Sequence, residues 1–259
     1  MSAPWNDSPA PPLRLPDLQG RTALVTGASL GIGRASVELL LENGVRVFGF
    51  SRKPSDIAHP NMIHLACDLS DMASIDAAFT RVLSDATSLD YVVNVAGKDP
   101  KYAIDEVTVA QWDHLLDLNL RAYYFIIKKA LPLLRLGTGR SIVNVSSINY
   151  RLGIPGRAAY SASKAGILGL TTGLSRELGA ENIRVNTVSP GWTFTERQIE
   201  EYFVGEEAER HLAYLASCQS LMLKLTATDI ANHILFYLSE YSRASTAHNC
   251  VVDGGWILE

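Results

Sequence analysis

The residues Thr22-Ala-Leu-Val-Thr-Gly27-Ala-Ser-Leu-Gly31-Ile-Gly33 decide the fold of this chain. An apolar run over 22–26 predicts a short strand, and apolar residues at helical spacing follow over 31–43. The three glycines at this junction allow a tight turn and a close backbone approach to a pyrophosphate, which the positive end of the helix attracts. A glycine-rich turn that binds nothing is the alternative interpretation of this stretch taken alone.

The same alternation of strand and helix continues to the end of the chain. Further strands are predicted at 45–50, 62–66, 89–95, 140–146, 184–189 and 250–255. Helices are predicted at 71–85, 109–136 and 158–181, with shorter ones at 199–203 and 208–216 and one capped by Thr226. Because the strands are continuous apolar runs, we expect a parallel sheet that helices cover on both faces. The pattern therefore predicts an α/β fold with a single doubly wound domain.

Three segments depart from this alternation. Residues 51–61 separate the second and third strands, are near the lower limit for a parallel crossover and contain two prolines, so we expect at most one helical turn there. Residues 1–19 are rich in proline and are predicted to form a mobile or surface-draped tail ahead of the domain at 20–259. Residues 190–225 follow the sixth strand, where the specificity loops of α/β enzymes lie, and are predicted to form a lid over the substrate.

Composition argues against several classes of function. The 259-residue chain has a net charge of −4, which gives no indication of nucleic acid or an anionic membrane as a partner. Its three cysteines are scattered and no histidine pair lies near them, so we expect reduced thiols, a cytoplasmic location and no metal site. No apolar run reaches the roughly 18 residues of a membrane span.

Tyr160 and Lys164 are the candidate catalytic pair. They are four residues apart in a predicted helix, so their side chains share one face. An ammonium close to a phenol lowers the phenol's pKa from about 10 and favours proton transfer near neutral pH. Ser147, after the preceding strand, is placed to hold the oxygen that gains or loses the proton. A surface tyrosine and lysine on an amphipathic helix have the same spacing, so the pair needs support from elsewhere.

Six motifs together resemble those of the short-chain dehydrogenase/reductase family, in the same order and spacing. They are Thr26-Gly-x-x-x-Gly-Ile-Gly33, Asn94-Val-Ala-Gly97, Asn119, Ser147, Tyr160-x-x-x-Lys164 and Pro190-Gly191. The similarity covers residues 18 to 255. It implies a Rossmann-type sheet of about seven parallel strands with helices on both faces, a nicotinamide cofactor and alcohol–carbonyl redox chemistry.

The resemblance also implies roles for individual residues. Tyr160 would be the general acid/base, Lys164 would lower its pKa and hold the nicotinamide ribose, and Ser147 would orient the reacting oxygen. The backbone of Asn119 would hold a water in a proton path to Lys164. The chain departs from the family at Val95, where a second asparagine is usual. The residues predicted to contact the cofactor are Gly27, Ser29, Leu30, Gly31, Ile32, Ser51, Arg52, Asp68, Leu69, Asn94, Ala96, Gly97, Tyr160, Lys164, Pro190, Gly191, Thr193 and Thr195.

The charges after the second strand favour NADP(H) over NAD(H). An acid at this place would accept from the ribose 2′-hydroxyl of NAD and repel a 2′-phosphate. The strand instead ends in Ser51-Arg52-Lys53, and a serine and an arginine can both bind a phosphate. Against NADP(H), Leu30 lies where many NADP-binding relatives have a basic residue, and a solvated basic turn is the alternative. Asp68 would accept from the adenine amine or cap the next helix.

The sequence thus predicts an oxidoreductase that interconverts a ketone and a secondary alcohol with NADP(H). A sugar or polyol dehydrogenase is the near alternative, and a protein that binds the dinucleotide without turnover is a more distant one. A small carbonyl or alcohol is the expected partner, and the resemblance implies a homodimer or homotetramer. Trp192 is equally consistent with a pocket wall and with ordinary packing. Lys101 and Arg151 lie near the reacting end, where either could meet an acidic group of the substrate.

Overall fold

A parallel sheet is the frame on which the site is built. The computed structural model describes residues 5–258, and within them seven strands form one sheet in the order β3-β2-β1-β4-β5-β6-β7. The strand bounds are β1 Thr22–Thr26, β2 Arg46–Ser51, β3 Met62–Ala66, β4 Tyr91–Asn94, β5 Ser141–Val145, β6 Arg184–Pro190 and β7 Asn249–Val252. Every neighbouring pair is parallel, which confirms the predicted fold class. The strand order reverses between β1 and β4, and ligands of such sheets bind beyond the carboxyl ends at this point.

Helices cover both faces of the sheet. Their bounds are α1 Gly31–Glu42, α2 Met72–Asp85, α3 Val109–Leu116, α4 Ala122–Leu134, α5 Asn149–Leu152, α6 Ala158–Leu178, α7 Glu196–Tyr202, α8 Gly205–Cys218 and α9 Ala227–Leu238. One apolar cluster joins α1 and α9 to one face, and a second joins α2, α4 and α6 to the other. Burial on both faces explains why the strands are continuous apolar runs.

The helix predicted at 109–136 is interrupted. Between α3 and α4, residues Asp117–Arg121 form a π-helical turn in which the Ala122 N–H donates to the Asp117 carbonyl, five residues back. Pro132 lies inside α4. Such a turn inserts one residue into a helix and is frequent at functional sites. Apolar periodicity does not reveal it, because the pieces on either side keep a buried face.

Two local predictions are confirmed. Within the part of the chain that the structure describes, no helix occurs between β2 and β3, as the short crossover indicated. Thr226 and Asp229 form a capping box at the start of α9, in which each side chain binds the backbone N–H of the other.

Residues 5–19 of the predicted tail lie against the domain, with Leu15 and Leu18 buried, and residues 1–4 lie outside the described ones. In α9, the side chain of Asn232 accepts from the Leu13 N–H and donates to the Pro11 carbonyl, both at 2.9 Å. Nearer the start, Asn6 forms a parallel bridge with Leu223. Residues 5–15, called the strap below, therefore connect α9 to the segment predicted to be the lid.

Candidate active site

One cavity lies beyond the carboxyl ends of β4, β5 and β6, beside the reversal of strand order. Its volume is about 440 Å³, and Ser147, Tyr160 and Lys164 all line it. Ser147 follows β5, whereas the other two residues lie near the start of α6, so the sheet brings separate segments together. Over residues 5–258 there is no helix long and apolar enough to cross a membrane and no group of three side chains able to hold a metal.

The glycine turn fits the phosphates of a dinucleotide. α1 begins at Gly31, and its N-cap residue, Leu30, offers no side-chain hydrogen bond to the first N–H groups of the helix. These donors can therefore receive an anion. A Cβ on Gly33 would lie 2.1 Å from the Gly27 carbonyl oxygen, and one on Gly27 would lie 3.0 Å from the Ala96 Cα. Glycine is thus required for the turn to close on itself and on the end of β4.

Thr26 holds the end of β4 against this turn. Its Oγ1 accepts hydrogen bonds from the N–H groups of Val95 and Ala96, at 3.1 and 3.3 Å. Asn94 is fully buried and donates to the Asn144 Oδ1 at 3.0 Å. The side chain of Asn94 therefore supports the sheet and does not line the cavity, so its predicted cofactor contact would have to come from the backbone.

The ammonium of Lys164 is held between β5 and the loop after β4. Nζ donates to the Val145 carbonyl at 2.9 Å and lies 5.8 Å from the ring centre of Tyr160. A Cβ on Gly97 would lie 3.4 Å from Nζ, so the glycine leaves room for the ammonium. Ser146 Oγ donates to the Lys164 carbonyl at 2.8 Å, which ties α6 to the end of β5.

Burial dominates the ionisation of the pair. It raises the pKa of Tyr160 to about 12, although hydrogen bonding to Ser147 and the charges of Arg157 and Arg197 act in the opposite direction. The same burial lowers the pKa of Lys164 to about 8. The expected low pKa of the phenol is therefore not what the structure gives, because burial outweighs the favourable interactions. At neutral pH, Tyr160 carries its proton.

Asn119 lies in the π-helical turn, fully buried. Its Oδ1 accepts from the Lys98 N–H at 3.0 Å, and its Nδ2 donates to the Lys98 carbonyl at 2.9 Å and to the Ser163 hydroxyl at 3.1 Å. The side chain thus fixes the loop after β4 to α6. The water that its backbone would hold for Lys164 remains a prediction.

The end of β2 has the residues predicted to select the cofactor. The hydroxyl of Ser51 donates to the Lys53 carbonyl at 2.8 Å and lies 2.9 Å from the His64 Nε2. Arg52 is exposed. His64 lies in β3 and reaches Ser51 because β2 pairs with β3, a contact that the sequence alone does not show.

Asp68 does not cap α2, so that alternative is wrong; Asp71 is the cap. The Oδ1 of Asp68 accepts from the N–H and the hydroxyl of Ser70, at 2.9 and 2.7 Å. These bonds and the charge of Arg52 hold the pKa of Asp68 below its ordinary value. The contact of Asp68 with adenine remains a prediction, and Leu69 beside it is buried.

The segment after β6 closes over the glycine turn. A Cβ on Gly31 would lie 3.1 Å from the Thr195 Cγ2. Trp192 lines the cavity and also packs against Phe203 and His211, with ring centres 5.0 and 5.5 Å away, so both interpretations of this residue apply. The predicted cofactor residues that line the cavity here are Pro190, Gly191, Thr193 and Thr195. At the other edge Ile32 lines it, Ser29 is half-buried and Leu30 is exposed.

An ionic cluster at the substrate end was missed in the sequence. The Asp99 carboxylate contacts two guanidinium groups, with Oδ2 lying 2.9 Å from the Arg157 Nη1 and Oδ1 paired with Arg197. All three residues line the cavity. Asp99 lies in the loop after β4, Arg157 is the N-cap residue of α6, and Arg197 lies within α7. Because these segments are far apart in the chain, no local sequence pattern predicts the cluster. Lys101 lines the cavity as expected, whereas Arg151 does not.

Comparison with known proteins gives a consistent result along the whole chain. A family model described as enoyl-(acyl carrier protein) reductase matches residues 27–257. A probable galactose dehydrogenase of Rhizobium meliloti (strain 1021) is 36% identical over 255 residues, which are 95% of this chain and 98% of the relative.

Two solved structures have the same fold. The ligand-free aldohexose dehydrogenase of Thermoplasma acidophilum has a TM-score of 0.86 and 26% identity, covering 93% of this chain and 96% of the other. A 4-hydroxyisoleucine dehydrogenase complexed with NADH has a TM-score of 0.84 and 29% identity, covering 92% and 98%. Both similarities extend over nearly the full length of both chains.

Proposed function

The chain belongs to the short-chain dehydrogenase/reductase family, and from that premise we propose that Tyr160 transfers the proton in an NADP(H)-dependent interconversion of a carbonyl and a secondary alcohol. The chain is an NAD(P)-dependent oxidoreductase that acts on CH–OH and carbonyl groups of small molecules.

The convergence of Ser147, Tyr160 and Lys164 on one cavity is the observation that supports it. The three groups lie beside a glycine turn whose donors suit a phosphate. A protein that only sensed the dinucleotide would need the turn and not a serine, a tyrosine and a lysine around a buried space. We therefore favour turnover over sensing.

In reduction, the residues have separate tasks. Tyr160, protonated at neutral pH, donates to the carbonyl oxygen, while the Ser147 hydroxyl donates a hydrogen bond to the same oxygen as negative charge develops there. The Lys164 ammonium stabilises the phenolate left behind, which is most effective in a cavity that excludes water. When bound, the nicotinamide supplies the hydride. The protonated phenol present at neutral pH is the form that this step requires.

Preference for NADP(H) rests on the end of β2. Arg52 is exposed and can pair with a 2′-phosphate, and residues 51–53 contain no carboxylate that would repel one. The nearest downstream acid, Asp56, is paired with Arg34. A structural neighbour was solved with NADH, so NAD(H) is the competing assignment.

A sugar or polyol dehydrogenase is the second candidate. Two of the proteins compared above are named as a galactose dehydrogenase and an aldohexose dehydrogenase. The lining of the cavity also has hydrogen-bonding side chains, Asn149 and Gln198, beside the aromatic Trp192. Such a mixture suits a polyhydroxylated substrate as well as a simple ketone.

We further propose that residues 20–259 are a single catalytic domain with 190–225 as its lid, and that the enzyme is a cytoplasmic homodimer or homotetramer. Exposed apolar side chains on α3 and α4, Val109 and Tyr124, support association. The three cysteines are free, which supports a reducing compartment. Analytical ultracentrifugation of the purified chain tests the subunit number.

The test of the function is a panel of ketones and sugars assayed by dinucleotide absorbance with Tyr160→Phe. We expect kcat/KM to fall roughly a thousandfold while dinucleotide affinity is kept, because only the transferable proton is removed. The matched control is Tyr241→Phe, an exposed tyrosine that does not line the cavity. A wild type that binds the dinucleotide but turns over no panel member would favour the sensor, and equal activity of Tyr160→Phe would exclude the proposed role.

A further inference from the structure

The lining of the cavity is strongly positive in an acidic protein. The chain has a net charge of −4, yet the cationic residues that line the cavity are Lys98, Lys101, Arg157, Lys164 and Arg197. Among the described residues on that lining, Asp99 is the one carboxylate. A concave site with such an excess attracts anions, because its walls of low dielectric focus the field. Lys164 already belongs to the proposed proton transfer, so the other cations need a separate explanation.

Asp99 cannot neutralise this end of the cavity. Its single carboxylate is shared between Arg157 and Arg197, which leaves one unit of positive charge on the three groups. Lys101 lines the same region, where its Nζ lies 5.0 Å from the ring centre of Tyr202. The cluster therefore brings two guanidinium groups to one carboxylate and keeps a net positive charge at the cavity wall.

Arg157 also has hydrogen-bonding capacity that the protein does not use. Its side chain is 9% exposed, and Nη1 lies 2.9 Å from the Asp99 Oδ2 without the geometry of a hydrogen bond. Nη2 reaches only the Tyr202 hydroxyl, at 3.4 Å. Asp99 pairs with the charge of Arg157 but leaves Nη1 without a well-directed acceptor, and a planar carboxylate is the acceptor that a guanidinium fork fits best.

The position of Arg157 relates this charge to the reaction. It is the N-cap residue of α6, three residues before Tyr160, and its Cζ lies 5.9 Å from the ring centre of Tyr160. An anion held at Arg157 would lie within a few bonds of the carbon whose oxygen Tyr160 serves. Arg197, on α7, would cover the same anion from the lid side.

We propose that the substrate is an acid, a hydroxy or oxo acid or an acidic sugar, whose carboxylate is bound by Arg157 and Arg197 beside the reacting carbon. This proposal rests on the proposed function of the site and adds the substrate class. Asp99 orients the two guanidinium groups and competes with the carboxylate for them. If the substrate were a neutral sugar, Asp99 would have the opposite role, because the Asp99 carboxylate would accept hydrogen bonds from the sugar hydroxyls and so favour binding.

The test compares neutral compounds with their carboxylates. Methyl α-D-galactoside is paired with methyl α-D-galacturonide, and butane-1,3-diol with 3-hydroxybutyrate, so that each pair differs at one carbon and no compound has a free carbonyl that the reduced dinucleotide could reduce. Calorimetry on the enzyme saturated with the reduced dinucleotide measures binding alone, because these alcohols cannot be oxidised in that complex. We expect at least one carboxylate to bind about tenfold more tightly than its neutral partner. Neutral partners that bind as tightly in both pairs, or carboxylates that do not bind, overturn the proposal.

Variants then assign the preference to the cluster. Arg197→Gln, on the exposed side, is expected to remove most of the preference, and Asp99→Asn is expected to strengthen carboxylate binding several-fold because the competing anion is gone. Arg210→Gln, in α8 and outside the cavity lining, is the matched control. Arg157→Gln changes a buried N-cap residue and can also disturb the fold. Its effect on carboxylate binding is therefore interpreted only together with that of Arg197→Gln.

Two outcomes separate this proposal from others. If Arg197→Gln weakens binding of the dinucleotide and leaves the preference for carboxylates unchanged, the cations bind the phosphates of the cofactor. The proposed substrate class is then wrong. If Asp99→Asn weakens binding of the neutral sugar instead of strengthening binding of the acid, the cluster binds hydroxyl groups and the proposal fails. Failure of Tyr160→Phe to reduce turnover contradicts the proposed function, whereas the binding preference is measured without turnover.

Discussion

The glycine turn and the substrate end of the cavity, which are the two halves of the proposed active site, are built by different means. On the cofactor side, backbone meets backbone: a Cβ on Gly33 would lie 2.1 Å from the Gly27 carbonyl oxygen. On the substrate side, Arg157 and Arg197, from two distant segments, meet at Asp99, which comes from a third. A close approach of backbone within one turn depends on residues near each other in the chain, so it appears as a sequence motif. A cluster that only the tertiary structure brings together does not appear as one.

This difference also predicts how each half tolerates change. A methyl group added to the glycine turn displaces backbone that has no other conformation available. A charge changed at the substrate end alters what binds while the frame stays in place. Lys164 lies between the two halves, against Gly97 and behind Tyr160. Its replacement should therefore have the largest effect on activity.

Lys164→Met is expected to lower kcat/KM roughly a thousandfold, because the phenolate of Tyr160 loses the charge that stabilises it. The same change has a signature in stability. The folded pKa of Lys164 is about 8, below its ordinary value of 10.5, so the folded protein binds fewer protons between these values. Wild-type stability should therefore rise relative to the variant as pH increases from about 8 to 10.5, by as much as roughly 3 kcal/mol.

Urea unfolding at pH 7 and at pH 10 measures that difference for both proteins. The gain should appear in the wild type and be absent from Lys164→Met. Parallel pH dependence in the two proteins would mean that the ammonium is well solvated, and the cavity would then not be the dry site that the mechanism needs.

Gly33→Ala tests the backbone-built half. The added Cβ forces the turn open, so we expect dinucleotide affinity to fall roughly a hundredfold. Gly179→Ala is the control, since a Cβ there meets nothing within 4 Å. Fluorescence titration with the reduced dinucleotide compares the two variants. Unchanged affinity in Gly33→Ala would mean that the turn does not approach the phosphates.

The same contrast explains what the sequence could predict. Seven strands, the glycine turn and the Tyr160–Lys164 pair were predictable, because each depends on residues close in the chain or on buried periodicity. The π-helical turn around Asn119 was not, since its neighbours keep an apolar face on either side. The pKa of Tyr160 was expected to be low and is about 12, because spacing shows which charges are near and not how much water is excluded.

Arg52→Ala tests the cofactor assignment at the edge of the backbone-built half. We expect NADPH binding to weaken about tenfold and NADH binding to stay the same, because only the 2′-phosphate is paired with the guanidinium. Dissociation constants for both dinucleotides are measured side by side. Arg81→Ala, which removes an exposed arginine that pairs with Asp85 within α2, is the control. Equal losses for the two dinucleotides would remove the assignment to NADP(H).

The smallest effect is expected from the strap, which supports the substrate half from outside. Asn6 exchanges backbone hydrogen bonds with Met222 and Lys224, and the chain then reaches Leu225, whose carbonyl accepts from the Phe194 N–H. Asn232→Ala removes the side chain that holds the strap to α9. We expect about 1 kcal/mol lower stability and a two- to threefold higher KM for the substrate, at about unchanged kcat.

His233→Ala is the matched control for the strap, because its ring binds only the carbonyl of Asp229 in its own helix among the contacts found for it. Dinucleotide affinity should be the same in both variants, since the polar contacts that the described residues of the strap make with α1 are at Glu42 and Asn43, far from the glycine turn. A rise in the KM for the dinucleotide that equals the rise for the substrate would mean that the strap supports the whole frame. The substrate half would then be as dependent on the backbone as the cofactor half.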